Sequence, residues 1–436
     1  MDDILSRARQ LGVQAEVFRL ASREISVEFE NNRLKRAETS DRAGLAVRVI
    51  SRGRLGFAAS SLPADEAGLL DRAVTIAAFG KEIHFPLPGL VGLPQVAVFD
   101  EAVTKVTPEE LVAYGEDLIE PLRAADPRFK AGVSLTAAEA SAELVNTAGF
   151  EGRIHKTIFG GSVSGILIEG ESFLELAEGN LGCRRTDALK PLRDRILDHL
   201  RQGRRNISLA SGQYPVLFTP VAHASLLGPF LASLNGKAVE KGASPFRGRL
   251  GEEAFARSFT LHDDPLLPFY PATSAHDGEG LPSRRTSLIE RGVITDFLLD
   301  LDTAAALGLE PNGNSRRGGW AAPPGPGPST LVVEPGTVSS REQLAGMREG
   351  LLVHYLMGAG QGNPYGGVVS ANIMLGFLVR GGEIVGRVKN TMLAVDVFEL
   401  YRSRLAGLSS DSEAVSGGIV LPHVLADGVA ITAKEG

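Results

Sequence analysis

The sequence predicts an α+β fold in two domains: an N-terminal mixed α/β-sheet domain over residues 1–205 and a C-terminal strand-rich domain with packed helices over 206–436. Three observations lead there. At roughly 100–200 residues per domain, 436 residues exceed what one domain ordinarily holds. Strand-like and helix-like segments come in clusters and do not alternate strictly, which disfavours a doubly wound sheet. Between the clusters lies the charged segment Arg201-Gln202-Gly203-Arg204-Arg205-Asn206, the best linker candidate, followed by a fresh strand-helix unit.

Taken in order, residues 2–11 read as a short helix with Leu5, Ala8 and Leu11 on one face and Gly12 at its end. Ile25, Val27 and Phe29 alternate with Ser26, Glu28 and Glu30, the period of a half-buried strand, and Leu45, Val47 and Val49 repeat it. The turn at Ser51–Arg54 leads to a third strand, 55–60. Pro63, Asp65 and Glu66 mark the start of a helix that Gly80 closes. Thr107-Pro108-Glu109-Glu110 opens another, and Pro121 is expected to kink or end it. Residues 130–173 return to strand character around a turn at 146–149. A polar helix over 188–201 carries Leu192, Ile196 and Leu200 on one face.

The second half opens with a strand, 214–218, and a helix that Thr219-Pro220 starts and Gly236 ends. Residues 285–290 and 293–299 form a hairpin around Arg291-Gly292. The run AAPPGPGP at 321–328 excludes regular structure. Ser340 and Gln343 read as a capping box closed by Gly350. Strands follow at 351–357, 368–379 and 383–388, then a helix near 394–406, then strand-like sequence to the end.

Composition narrows the function. Glycine (51) and proline (24) together stay below the roughly 25–30% that marks low complexity. The net charge of −7 disfavours non-specific nucleic-acid binding, which rests on neutralising phosphates. One cysteine, Cys183, excludes an internal disulfide and any zinc site needing two thiolates. Met1-Asp2-Asp3 lacks the positive region of a signal peptide, and the apolar stretch 371–379 is too short to span a bilayer. A cytoplasmic protein with no membrane association is expected.

Common catalytic signatures are absent. The Gly-Lys pairs at 80–81 and 236–237 lack the following Ser or Thr of a P-loop. Gly358-x-Gly360-x-Gly362 is followed by Asn363-Pro364 and reads as a glycine-rich turn, not a dinucleotide fingerprint. The segment 160–165 misses a nucleophile elbow and reads as strand packing. None of the eight histidines is followed by Glu, so no HExxH helix exists. The runs His262-Asp263-Asp264 and His276-Asp277-Gly278-Glu279 offer imidazole and carboxylate, but neighbours on an extended chain point to opposite faces, which favours polar loops over metal.

Four further segments, in order along the chain, carry a family resemblance. They are Gly44–Ile50 with Gly53–Phe57; Asp277–Gly280 with Arg284–Glu290, Gly292–Thr295 and Leu307–Leu309; Asn312–Arg317; and Gly376–Val379 with Gly381–Ile384. Together they resemble the PmbA/TldD family, known as modulators of DNA gyrase and as the TldD/TldE peptidase. TldD-type members carry HExxxH after the strand that opens the C-terminal half; PmbA/TldE-type members lack it. Aligned with the family, Pro220, Val221 and Ser225 stand where His, Glu and His would be. The resemblance is therefore to the PmbA/TldE type, and the C-terminal domain is expected to be peptidase-like with its metal motif lost.

That resemblance implies a subunit of a zinc-dependent peptidase acting on unfolded or extended peptides. This chain would have no catalytic residues, no metal and no cofactor of its own, with zinc only in a TldD-type partner. The partner would be that paralogue or a second copy of this chain. The expected substrate-binding residues are His276, Asp277, Glu279, Arg284, Arg285, Asn314, Arg316 and Arg317, because planar guanidinium groups suit carboxylates. Two other readings stand beside it. One is an independent metal-dependent hydrolase using His262, Asp263, His276, Asp277 or Glu279. The other is a regulatory binder of DNA gyrase, with no direct nucleic-acid contact expected.

Overall fold

The computed structural model describes residues 1–61, 66–170 and 172–433. Pro63 and Asp65, read above as a helix start, lie outside them. The fold is α+β, as the clustering of elements predicts.

The first half is an antiparallel six-stranded sheet. Strands β1 (Gln14–Glu30), β2 (Arg33–Ser51) and β3 (Arg54–Ser60) form a meander, as do β4 (Lys130–Asn146), β5 (Glu151–Glu169) and β6 (Ser172–Gly182). β1 pairs with β4, giving the order β3-β2-β1-β4-β5-β6. The predicted strands are the apolar parts of much longer ones, because the β1/β2 ladder carries the polar residues 33–43 along with it. Helices α1 (Asp2–Gln10) and α2 (Glu66–Ala77) bury Ile4, Leu5, Leu69 and Leu70 against Val17, Val47 and Val49. Between β3 and β4 come also α3 (Glu101–Thr104) and α4 (Pro108–Ala125), and α5 (Leu189–Gln202) follows β6. Leu118 and Leu122 of α4 and Ile196 of α5 join Val27, Phe129 and Val163 in a second core. Pro121 does not end α4. The carbonyl of Asp117, which Pro121 leaves without its helical donor, accepts from Arg193 Nη1 at 3.4 Å.

The second half is a mixed twelve-stranded sheet. Its elements, in chain order, are β7 (Asn206–Ile207), β8 (Gly212–Phe218), α6 (Pro220–Leu226), α7 (Gly228–Ser233), α8 (Gly236–Glu240), β9 (Leu261–Asp263), β10 (Thr286–Glu290), β11 (Val293–Ile294), α9 (Leu301–Leu307), β12 (Ser315–Arg316), β13 (Gly325–Pro326), β14 (Leu331–Val333), α10 (Ser340–Ala345), β15 (Glu349–Met357), β16 (Val368–Arg380), β17 (Glu383–Val388), β18 (Thr391–Asp396), α11 (Val397–Glu399), β19 (Leu405–Val415) and β20 (Ile419–Ala433). The sheet runs β11-β10-β9-β14-β20-β8-β15-β16-β17-β7, with β18 bridging β16 and β20. The pairs β8/β15, β14/β20 and β7/β17 are parallel. β12 and β13 pair separately.

Several local expectations give way. The single helix over 219–235 is three, because Pro229 interrupts the hydrogen-bond ladder and Asn235 caps a new turn at Lys237 N. Gly236 accordingly begins α8 instead of ending a helix. The capping box is Ser339/Glu342, one residue early, and α10 stops at Gly346. The helix expected near 394–406 is strand β18, a single turn, a π-turn at 400–404 and then β19, since edge pairing to β16 and β20 outweighs helix propensity. The hairpin survives with a short second strand, its turn residues Arg291 and Gly292 both at positive φ. Within 321–328, Gly325–Pro326 does pair, with Ser315–Arg316. Segment 201–206 starts within α5 and is tied to both halves: Arg204 binds Asp126 at 2.5 Å, and Arg205 O accepts from Arg387 N.

The core of this half centres on Phe230, whose ring meets Phe246, Phe255, Phe259, Phe398 and Tyr401 at centroid distances of 5.1 to 6.3 Å. Phe230→Ala removes this hub and is expected to destabilise the fold by about 3–5 kcal/mol, read from denaturant unfolding.

Candidate functional site

The alternation of β1 places Glu16 on the face opposite Val17, and that of β2 places Arg48 opposite Val47 and Val49. The two charges lie directly across the ladder. Both are buried, at 1% and 4% exposure, because loops from the second half close over that face. Arg48 donates Nη2 to Glu16 at 2.8 Å and Nη1 to Glu279 at 2.5 Å. Arg317 donates to the other oxygen of Glu16 and, through Nε, to Gly278 O at 2.7 Å. Its guanidinium also covers the Phe18 ring at 4.8 Å. Glu279 accepts in turn from Leu301 N at the start of α9. Two carboxylates and two guanidiniums thus form one closed network between the halves. Burial works against the Arg48 charge, but Glu16 and Glu279 outweigh it and raise its pKa. Burial pushes Glu279 up while Arg48 opposes the shift. Gly44 belongs to the same face. A Cβ there would stand 2.0 Å from the Trp320 ring, so only glycine lets the loop after Arg317 lie on β2.

A second buried node adjoins the first. Asp277 accepts from Glu279 N and Leu281 N at 2.9 Å and from Ser315 N at 3.2 Å, which fixes the two family-like loops to each other. Burial and the neighbouring Glu279 carboxylate raise its pKa against those bonds. Asp263 accepts from Asn314 Nδ2 at 2.7 Å, Arg316 Nη2 at 3.3 Å and Ser329 N and Oγ at 2.7 and 2.8 Å. Arg316 also donates to Gly313 O and Ser315 O. His276 donates Nδ1–H to Asp277 O and packs edge-on against Phe150 of the first half.

Six of the eight residues singled out in the sequence therefore converge: His276, Asp277, Glu279, Asn314, Arg316 and Arg317. Their polar groups are met mainly from within the protein. Arg284 and Arg285 stand apart, both exposed. Arg285 reaches Glu334 Oε1 at 2.5 Å and His262 Nδ1 at 3.1 Å; Arg284 makes no hydrogen bond to a described residue. The sequence reading missed Glu16 and Arg48. Their signal was present as lone charges inside apolar strands, Ala15-Glu16-Val17 and Val47-Arg48-Val49.

Helix α6 carries no imidazole or carboxylate at 220, 221 or 225. His223 is wholly buried: Nδ1 donates to Pro422 O at 2.8 Å, and Nε2 accepts from Tyr401 Oη at 2.5 Å. Both nitrogens are spent, so α6 offers no donor set for zinc. Burial pushes His223 down to about 4, and burial with Arg285 nearby does the same for His262.

Residues 211–433 match the family of the PmbA/TldA metallopeptidase C-terminal domain, and 15–77 match the PmbA/TldA metallopeptidase domain 1. A protein of Methanocaldococcus jannaschii is 25% identical over 413 residues, covering 93% of this chain and 94% of that one. A metalloprotease of Methanothermobacter thermautotrophicus is 26% identical, covering 89% and 86%. The crystal structure of TldE from Thermococcus kodakarensis superposes with a TM-score of 0.93 at 22% identity, covering 99% of this chain and all of that one, which shows a shared fold.

Two outcomes follow from this geometry. Arg317→Ala leaves buried Glu16 and Glu279 to share the single charge of Arg48 and is expected to lower unfolding stability by about 3–5 kcal/mol, whereas Arg284→Ala changes it by less than about 0.5 kcal/mol. Two buried histidines are also expected to cost stability as pH drops from about 6.5 to 4, opposed by Asp277 and Glu279, whose raised pKa values favour proton uptake by the native state. Below the ordinary histidine pKa the unfolded chain takes up protons that His223 and His262 refuse in the native state. The fully buried His223 contributes up to about 3 kcal/mol of that loss at pH 4, so His223→Gln flattens the profile measured by denaturant titration.

Proposed function

Because this chain belongs to the PmbA/TldD family of metallopeptidases, we propose that it is a TldE-like, non-catalytic subunit of a cytoplasmic zinc-dependent peptidase that acts on unfolded or extended peptides. It works with a TldD-type paralogue or with a second copy of itself, and its two domains divide at 205/206. The observation that carries this reading is α6. At the place where the catalytic type holds its metal motif, this chain has Pro220, Val221 and Ser225, and the nearby His223 is consumed by Tyr401 and Pro422. Zinc does not fit there, so the role proposed contains no metal-dependent step.

What this chain supplies is peptide positioning. Buried Arg317, Glu279 and Asp277 hold the loops in place, and Arg316 and Asn314 both donate to Asp263. Arg284 and Arg285, carried on the entry to β10, remain accessible. A guanidinium fork binds a carboxylate with two parallel hydrogen bonds, which suits the end or an acidic side chain of an extended peptide. In the mixed complex, Arg284→Ala with Arg285→Ala is expected to leave assembly intact and slow peptide processing ten-fold or more, since each charge-assisted contact contributes about 1.5–3 kcal/mol. Processing equal to the parent makes these arginines bystanders. Cleavage by the isolated, metal-stripped chain would overturn the subunit role.

A further inference from the structure

Beside the start of α6, three side chains distant in sequence meet where the two sheets abut. Glu178 of β6, His199 of α5 and His354 of β15 each offer one ligand atom, and these atoms lie within 4.8 Å of one another. Glu178 and His354 are buried and His199, on α5, is half-buried. Thr219 Oγ1 engages His354 Nδ1 at 3.1 Å, which turns Nε2 toward Glu178 Oε1 at 2.7 Å. The His199 ring packs on His354 at 4.4 Å and on Phe377 at 6.0 Å, and it makes no hydrogen bond to a described residue. Its ring nitrogens reach solvent and have no partner among the described residues, so one of them is free to take up an ion.

We propose that Glu178, His199 and His354 form a binding site for a divalent transition metal of the zinc type, clamping the two sheets together. Two imidazoles and one carboxylate are a donor set zinc accepts, with a fourth position left for water. The Thr219 contact is the outer-shell bond that fixes which nitrogen of His354 faces the ion. Binding replaces the Glu178–His354 hydrogen bond, opening that pair to the about 3.3 Å that two bonds of about 2.0–2.1 Å span in a tetrahedron. Arg195 lies 3.6 Å from the second oxygen of Glu178, but its other arm holds Glu413 at 2.7 Å. These two carboxylates outweigh the single guanidinium, which favours a cation. The site goes beyond the subunit role proposed above, since it is not on α6 and does not require peptide.

The full chain, stripped with a chelator and exchanged into metal-free buffer, is titrated with Co(II) and then with Zn(II) against a chromophoric competitor. Expected are one equivalent bound, the visible bands of four-coordinate Co(II), and a Tm that rises with Zn(II) concentration. His199→Gln removes a ligand that no hydrogen bond depends on and should fold with the metal-free Tm of the parent. Its affinity is expected to fall on the order of 100-fold or more, and Glu178→Gln serves as the second variant. His262→Gln, outside the cluster, should bind like the parent. Failure of the parent to take up metal at micromolar concentration, or parent-like binding by both His199→Gln and Glu178→Gln, overturns the site. Peptide processing by the mixed complex is a separate readout, so this result and that of the subunit role are independent.

Discussion

The Arg48 guanidinium, enclosed between Glu16 and Glu279, is the contact on which the arrangement of the two halves depends. Its charge is removed from water on a face that would otherwise be solvent-exposed sheet. Such a group is tolerated only when its counter-charges are held within hydrogen-bond range. Glu16 comes from the neighbouring strand and is fixed by register. Glu279 comes from a loop of the other half, and Arg317 closes the ring from a third segment. Opposed charges leave the network neutral, so the halves dock in the one relative position that pairs all four charges.

Around that ring the remaining loop geometry is organised by backbone donors. Asp277 gathers three N–H groups from two loops, and Asp263 ties Asn314, Arg316 and Ser329 to β9. Apolar packing reinforces the same seam: Ile50 and Phe85 of the first half share a cluster with Leu301 at the start of α9, and Trp320 lies on Gly44. Leu375 and Phe377 of β16 enter the core formed by α4 and α5. The Glu178–His199–His354 cluster, where β6 meets β15, is a further contact between the halves.

Much of the local structure was legible in the residues. The alternation at 25–30 and 45–49, the Thr107-Pro108 helix start, the Arg291-Gly292 turn and the strands around Gly381-Gly382 all rest on short-range preferences that the fold retains. Errors arose where distant partners decided. Residues 394–406 contain good helix formers, yet two flanking strands present a free ladder and draw 391–396 into the sheet. Pro121 is a helix breaker in isolation, but Arg193 from α5 supplies a donor to the carbonyl it frees.

The same division holds for the functional residues. By itself the sequence determined the α+β class, the family-like segments around 277–285 and 312–317, and the absence of metal donors at 220, 221 and 225, because these follow from residue type and spacing. Tertiary structure alone decided which of the arginines stay accessible. Arg316 and Arg317 read identically to Arg284 and Arg285 along the chain, and only the closure of the loops buries Arg317 and half-buries Arg316 while Arg284 and Arg285 stay exposed. It also decided that Glu178, His199 and His354 meet, since three residues on a strand, a helix and a strand of different sheets have no spacing by which a linear pattern joins them.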